Sequence, residues 1–254
     1  DTGSDTPNDL RAAVLRASIY QKTGQPLLAL PIWERLAQQE VEPGLRFQGS
    51  YQSAIHYDQL NDLSGALVRY ERVLNTPPTD KEQQELLENS KLRFSALRNQ
   101  QFRENITQLQ QQQDWRGLEN LIRQNWEGGL VEVDDPLLNV WVGALQNQKD
   151  WLNILNLYKE LQRKESNKFE SVSDFIWQAE ANESLNRPKE AITFYERAVE
   201  KMSVGDDRFA TISNRLAVLY ENGNDYQKQM KIYENLYAQE PSSKFRQQYA
   251  LKAG

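Results

Sequence analysis

The chain has 254 residues, enough for one large domain or two small ones with a real core, and its 39% hydrophobic and 26% charged residues suit a globular protein with a polar surface. A net charge of −6, a pI near 5.1 and the lack of any basic run leave little attraction for a phosphate backbone, so nucleic acid is not expected as a partner. Absence of cysteine removes disulfides, thiolate metal sites and cysteine nucleophiles, and no stretch approaches the roughly 18 apolar residues of a membrane-spanning helix.

Residues 1–9 read as a flexible N-terminal linker or a cloning scar, and a chain opening on Asp1 reads as a processed or excised piece of something longer. A first helical unit spans 10–43. Its first helix carries Ala13, Ala17 and Tyr20 and breaks at Thr23-Gly24; its second starts at Pro26, continues through Ala29, Trp33 and Leu36, and closes at Pro43. A second unit, 47–80, sets Ala54, Tyr57, Asn61, Ala66, Tyr70, Val73 and Pro78 at matching places. Small residues let paired helices approach, and aromatics fill the space between pairs.

The middle, 81–163, is degenerate. From Lys81 to Gln113 the apolar positions Leu87, Phe94, Leu97, Ile106 and Leu109 continue helically without Gly or Pro, which predicts one long helix or an extra helix leading into a third pair. Asp114-Trp115 and Asp150-Trp151 each open a helix behind an Asp N-cap, and Gly143 stands where a small residue is wanted. Connectors are expected at 76–80, 127–136 and 204–207; the second could hold a short extended segment.

Two regular units close the chain. The first, 172–205, carries Ala179, Asn186, Ala191, Tyr195 and Ala198. The second, 210–243, carries Leu216, Ala217, Tyr220, Asn224, Tyr233, Leu236 and Pro241, with a capping helix from Ser243. The segments Gly65 to Leu74 and Glu190 to Val199 are versions of one phrase, an aromatic followed by Glu-Arg and an apolar pair. Two subdomains could meet near Gly128, but one continuous array over 10–254 is the preferred reading.

A small residue, an aromatic, a Gly/Asn turn, an Ala, a second aromatic and a closing Pro make these units resemble tetratricopeptide (TPR) repeats, whose period is about 34 residues. The resemblance implies an all-α right-handed TPR superhelix, an α-solenoid of about six antiparallel helix pairs. It also implies a protein–protein interaction scaffold whose first helices line a concave groove. On this chain the groove positions are Arg11, Val14, Ser18 and Gln21, then Gln48, Tyr51, Ile55 and Gln59, then Glu104, Gln108 and Gln111. Val140, Ala144 and Asn147, then Ile176, Glu180 and Glu183, then Asn214, Val218 and Glu221 continue it. Such a groove is amide-rich and turns acidic toward the C-terminus, which suits an extended peptide, a folded envelope component or a polysaccharide. Val14, Ser18, Tyr51 and Ile55 fill the positions where TPR adaptors that grip a chaperone's C-terminal carboxylate place Lys and Asn, so that adaptor class is not expected.

Catalytic material is scarce. His56 is the single histidine and reads as a packed imidazole. Asp134-Asp135 and Asp206-Asp207 read as helix caps rather than a carboxylate pair, and no phosphate-cradling loop or nucleophile elbow occurs. Hence no enzyme, cofactor or metal is expected. Trp33, Trp115 and Trp151 fall at core spacing, whereas Trp126, before Gly128-Gly129, is the candidate for exposed stacking against a glycan.

The chain is therefore read as a non-enzymatic scaffold. In style it resembles periplasmic TPR segments of bacterial cell-envelope proteins that serve outer-membrane assembly or exopolysaccharide export. A cytosolic TPR regulator or co-chaperone and a glycan-binding solenoid are the alternatives.

Overall fold

The computed structural model describes residues 6–38, 42–164, 168–203, 205–239 and 250–252, and twelve helices are delimited among them. They are α1 Pro7–Lys22, α2 Pro26–Ala37, α3 Pro43–Gln59, α4 Leu63–Leu74, α5 Lys81–Gln111 and α6 Trp115–Glu127. The remainder are α7 Asp135–Asn147, α8 Trp151–Lys164, α9 Val172–Ser184, α10 Pro188–Lys201, α11 Phe209–Asn222 and α12 Tyr226–Gln239. No strand occurs among the described residues. The fold is all-α, with consecutive helices paired as in a TPR solenoid.

One turn builds every pair. Gly24, Asn61, Gln113, Lys149, Asn186 and Asn224 all have φ between +55° and +72°. At each, the next residue's N–H reaches back to the carbonyl five positions earlier, as in Asp62 to Tyr57, Arg187 to Asn182 and Asp225 to Tyr220. This Schellman closure satisfies the last carbonyls of the first helix and reverses the chain. Asp62 and Asp114 then cap the second helix, each carboxylate accepting from a glycine N–H three residues on, at 2.9 Å. Most of these turns recur at about 37-residue intervals; only the step to Gln113 is longer, by roughly four helical turns that α5 absorbs in its 31 residues. The stretch from Lys81 is thus one long helix.

The chain divides into two compact units, Asp1–Gln108 and Leu109–Gly254. In the first, α1, α3 and the start of α5 form one layer: Gln21 donates to Gln52 at 3.0 Å, Gln83 to the Gly44 carbonyl, and Arg93 to both oxygens of Asp58 at 2.6 Å. The other layer is α2 and α4, where Glu34 takes Arg69 at 2.8 Å and Arg72 at 3.2 Å. Trp33, Leu36, Phe47, Ala54, Ala66 and Val73 fill the space between layers. Gly49 marks the tightest crossing: a Cβ there would lie 2.7 Å from the Trp33 carbonyl oxygen and 2.6 Å from the Ala37 nitrogen.

The second unit repeats this scheme with α7, α9 and α11 in the first-helix layer and α6, α8, α10 and α12 in the other. Arg123 of α6 reaches Glu160 of α8, and Lys228 of α12 reaches Glu196 of α10. Phe175, Ala179, Ala191, Tyr195, Ala198, Leu216 and Tyr220 form one core cluster of this unit.

Several local expectations are corrected. α1 begins at Pro7 because Thr6 and Asp9 form a reciprocal capping box, so helix reaches into the span read as linker. Pro43 opens α3 instead of closing the first unit, its missing N–H costing nothing at a helix start. Residues 128–134 are irregular rather than extended strand, and the Asp134 carboxylate caps α7. Val142, fully buried, takes the small-residue position of its repeat, while Gly143 faces open space. Residues 1–5, Val204, Pro241 and the start of the capping helix at Ser243 lie outside the described residues; 250–252 are helical.

Candidate functional site

The first-helix layer of the second unit carries a continuous polar ladder. Gln146 of α7 donates to Glu180 of α9 at 3.4 Å, and Arg215 of α11 donates to the other oxygen of Glu180 at 2.6 Å. The same guanidinium reaches the Tyr195 hydroxyl at 3.1 Å, and that hydroxyl donates to Glu183 at 2.8 Å. Burial holds the Tyr195 phenol well above its ordinary pKa, so it remains a proton donor to Glu183. The ladder borders an open cleft of about 350 Å³ lined by Trp151, Glu180, Glu183, Ser184 and Arg215. Helix register explains the arrangement: relative to the turn residues Lys149, Asn186 and Asn224, these side chains fall within about two and a half helical turns of the same end of the layer.

Leu138, Asn139, Ser173, Asp174 and Trp177 line a second depression toward the N-terminal ends of α7 and α9. Asp174 belongs to the framework: the Tyr158 hydroxyl donates to it at 2.8 Å, as does the Ser171 N–H that opens α9.

The expected groove residues fall into distinct groups. Val140, Glu180 and Asn214 are half-buried on this face, Asn147 and Glu221 are exposed, and Ala144 and Ile176 are buried. Asn147 and Asn214 spend amide protons on carbonyls four residues back in their own helices. The expected acidity at this end is reduced, because Arg215 neutralises Glu180. Gln146, Trp151, Trp177 and Arg215 were not among the expected positions. Setting Asn186 and Asn224 in register would have found Arg215, since it then lies one turn before the position of Glu180.

In the first unit, Val14, Ser18, Gln48, Tyr51 and Ile55 are half-buried, and Arg11 and Gln59 are exposed. The Gln21–Gln52 bond ties α1 to α3. Tyr51 stacks on Phe47 with ring centres 6.5 Å apart, so it supports the core as well as the surface. Glu104 and Gln108 of α5 are exposed, and Glu104 takes its hydrogen bond from Gln100 on its own helix.

Trp126 is not an exposed stacking platform. It is 9% exposed, packs edge-on against Trp141 at 5.4 Å and carries the Lys164 ammonium 3.8 Å over its face. Trp126 follows Leu118 and Ile122 at four-residue spacing on α6, so helical register places the indole on the buried stripe of that helix despite the Gly-Gly pair that follows. Trp33 is core as expected, whereas Trp115 and Trp151 are only half-buried and Trp151 lines the cleft. His56 is buried among α3 packing residues. Asp206 does not cap α11; it grips Arg208 through both carboxylate oxygens, which holds its pKa down at about 2.

No described protein family matches the chain. No curated protein matches it either. Among solved structures it is similar to the TPR domain of P58(IPK), at 15% sequence identity over 97% of this chain and 68% of that one, with a TM-score of 0.37.

Proposed function

We propose that the chain is a non-enzymatic protein-interaction scaffold that docks an extended segment of a partner protein on its first-helix layer. The observation that carries this reading is the Gln146–Glu180–Arg215 ladder beside the Trp151 cleft. Amide, carboxylate and guanidinium groups held at fixed spacing supply both donors and acceptors, the set that an extended peptide backbone requires. A half-buried indole beside them gives an apolar contact for one partner side chain. The finer reading, a periplasmic scaffold of bacterial envelope assembly or exopolysaccharide export, draws its support from composition: no cysteine and one histidine.

The test is a charge swap, Glu180→Arg with Arg215→Glu, which keeps the ion pair but reverses its polarity. Wild-type and swapped chains are used to capture partners from envelope and cytosolic fractions, read by mass spectrometry. An envelope protein enriched by the wild type and lost with the swap supports both parts of the reading. A cytosolic partner lost with the swap keeps the scaffold and moves it to a cytosolic regulator. Capture indifferent to the swap removes this face from the function.

A further inference from the structure

Ser173, Trp177, Glu180 and Ser184 follow one another at steps of four, three and four residues, so they form one stripe along α9. Both depressions of the second unit border that stripe. The one toward its start holds about 200 Å³ and is lined by Asp135, Asn139, Asp174 and the half-buried Trp177. The one toward its end is the cleft where the half-buried Trp151 stands with Glu180 and Glu183. Each therefore sets an indole among carboxylates.

The carboxylates are not all matched. Asp135, Asp174 and Glu183 have no ion pair among the described residues. Asp174 is 2% exposed, yet its oxygens accept only from neutral donors, the Tyr158 hydroxyl and the Ser171 N–H. A carboxylate removed from water without a cation keeps a strong field toward the nearest open space. Arg208 donates to Ser173 at 3.0 Å, but both oxygens of Asp206 already match its charge. In the other cleft Arg215 matches Glu180, while Glu183 receives only the neutral Tyr195 hydroxyl. What each depression still offers is acceptor capacity, negative charge and an indole, the complement of a guanidinium.

Spacing adds a second condition. From Trp177 to Ser184 is seven residues, about 10 Å along a helix. A polyproline II chain returns the same side every third residue, after about 9 Å. On a β-strand, side chains of one face recur at about 7 Å and again at about 13 Å. We propose that the segment docked on this layer is a polyproline II stretch carrying two arginines three residues apart, one guanidinium against Trp177, Asp135 and Asp174 and the other against Trp151 and Glu183. The inference rests on the docking reading of this layer and adds the chemistry of its partner. A divalent metal ion suits the first depression less well. Both Asp174 oxygens already accept hydrogen bonds, and no group of three acidic or histidine side chains able to hold a metal occurs among the described residues.

The probe is a dye-labelled peptide with Arg-Pro-Pro-Arg between Gly-Ser flanks, and its binding to the full chain is followed by fluorescence anisotropy. Saturable binding that weakens as salt is raised is expected. Asp135→Asn and Glu183→Gln, which keep the side-chain shape, each weaken it about three- to fivefold, with the helices intact by circular dichroism. Peptides with Arg-Pro-Arg or Arg-Pro-Pro-Pro-Arg bind no more tightly than a peptide with a single arginine. Absence of saturable binding, equal binding at all three spacings, or binding indifferent to both substitutions overturns the proposal. Calcium that displaces the peptide at constant ionic strength, an effect lost in Asp135→Asn, also overturns it by assigning the first depression to a metal ion. If any of these results accompanies partner capture that is still lost in the Glu180→Arg/Arg215→Glu chain, the docking layer stands and only the paired arginines are removed.

Discussion

Arg215 on α11 and Glu180 on α9 meet at 2.6 Å, although a whole repeat of chain separates them. Their side chains are 45% and 27% exposed, so water screens the pair and its effect on folding is small. Its larger effect is on the surface: without Arg215, Glu180 and Glu183 present two neighbouring carboxylates to the cleft. Arg215→Ala is expected to cost under about 1 kcal/mol, a fall of at most about 2–4 °C in melting temperature, while weakening capture of the partner. A large drop in melting temperature would instead make Arg215 a structural strut through Tyr195.

Two helical glycines should respond oppositely to alanine. At Gly49 a methyl group would meet the α2 backbone at 2.6–2.7 Å, so Gly49→Ala must push α2 and α3 apart and cost about 1–3 kcal/mol. At Gly143 nothing lies within 4 Å, and Gly143→Ala should stabilise α7 by about 0.5–1 kcal/mol. Chemical denaturation of the two variants checks the pair of signs. Gly143 also lies on the proposed docking layer, so a Gly143→Ala chain that is more stable yet binds its partner less well would place the partner's backbone against α7.

Alkaline unfolding should begin near the ordinary tyrosine pKa. The hydroxyls of Tyr70, Tyr158, Tyr195 and Tyr220 donate to Asp58, Asp174, Glu183 and Glu196. Burial, the largest cause for each, raises their folded pKa values above the unfolded value of about 10. Their contribution is therefore full below about pH 10 and lost as pH rises toward the folded values. Phenolate absorbance and helical ellipticity, followed together from pH 9 upward, should show these four ionising only as helix disappears. Ionisation near pH 10 with the helices intact would contradict this.

Acid should weaken the strut between α3 and α5. Hydrogen bonds from Arg93 hold the Asp58 carboxyl below its usual pKa, against the opposing effect of partial burial. A depressed folded pKa gives stability that is present above the unfolded value of about 3.9 and lost as pH falls through the folded one. Asp58→Asn is expected to cost about 1 kcal/mol at pH 7 and progressively less below pH 4, measured by urea titration at each pH. An equal cost at both extremes would mean that Asp58 acts through shape alone.

Helix content and the pairing of consecutive helices were legible in the sequence because they rest on local rules. Proline at helix starts, Asp caps, and Ala, Tyr and Trp at helical spacing state their structure within a few residues. The turns at Gly24, Asn61, Asn186 and Asn224 were readable for the same reason, since Gly and Asn tolerate positive φ. Gln113 and Lys149 adopt that conformation without being residues that favour it, so the middle of the chain concealed its register. Tertiary structure alone decided which side of each helix is covered. It buried Trp126 against Trp141, brought Trp151 to a cleft, and joined Arg215 to Glu180 across a repeat. Each of those outcomes depends on which helix packs alongside, and that is set by the summed packing of many residues far apart in the chain rather than by any residue's own preference.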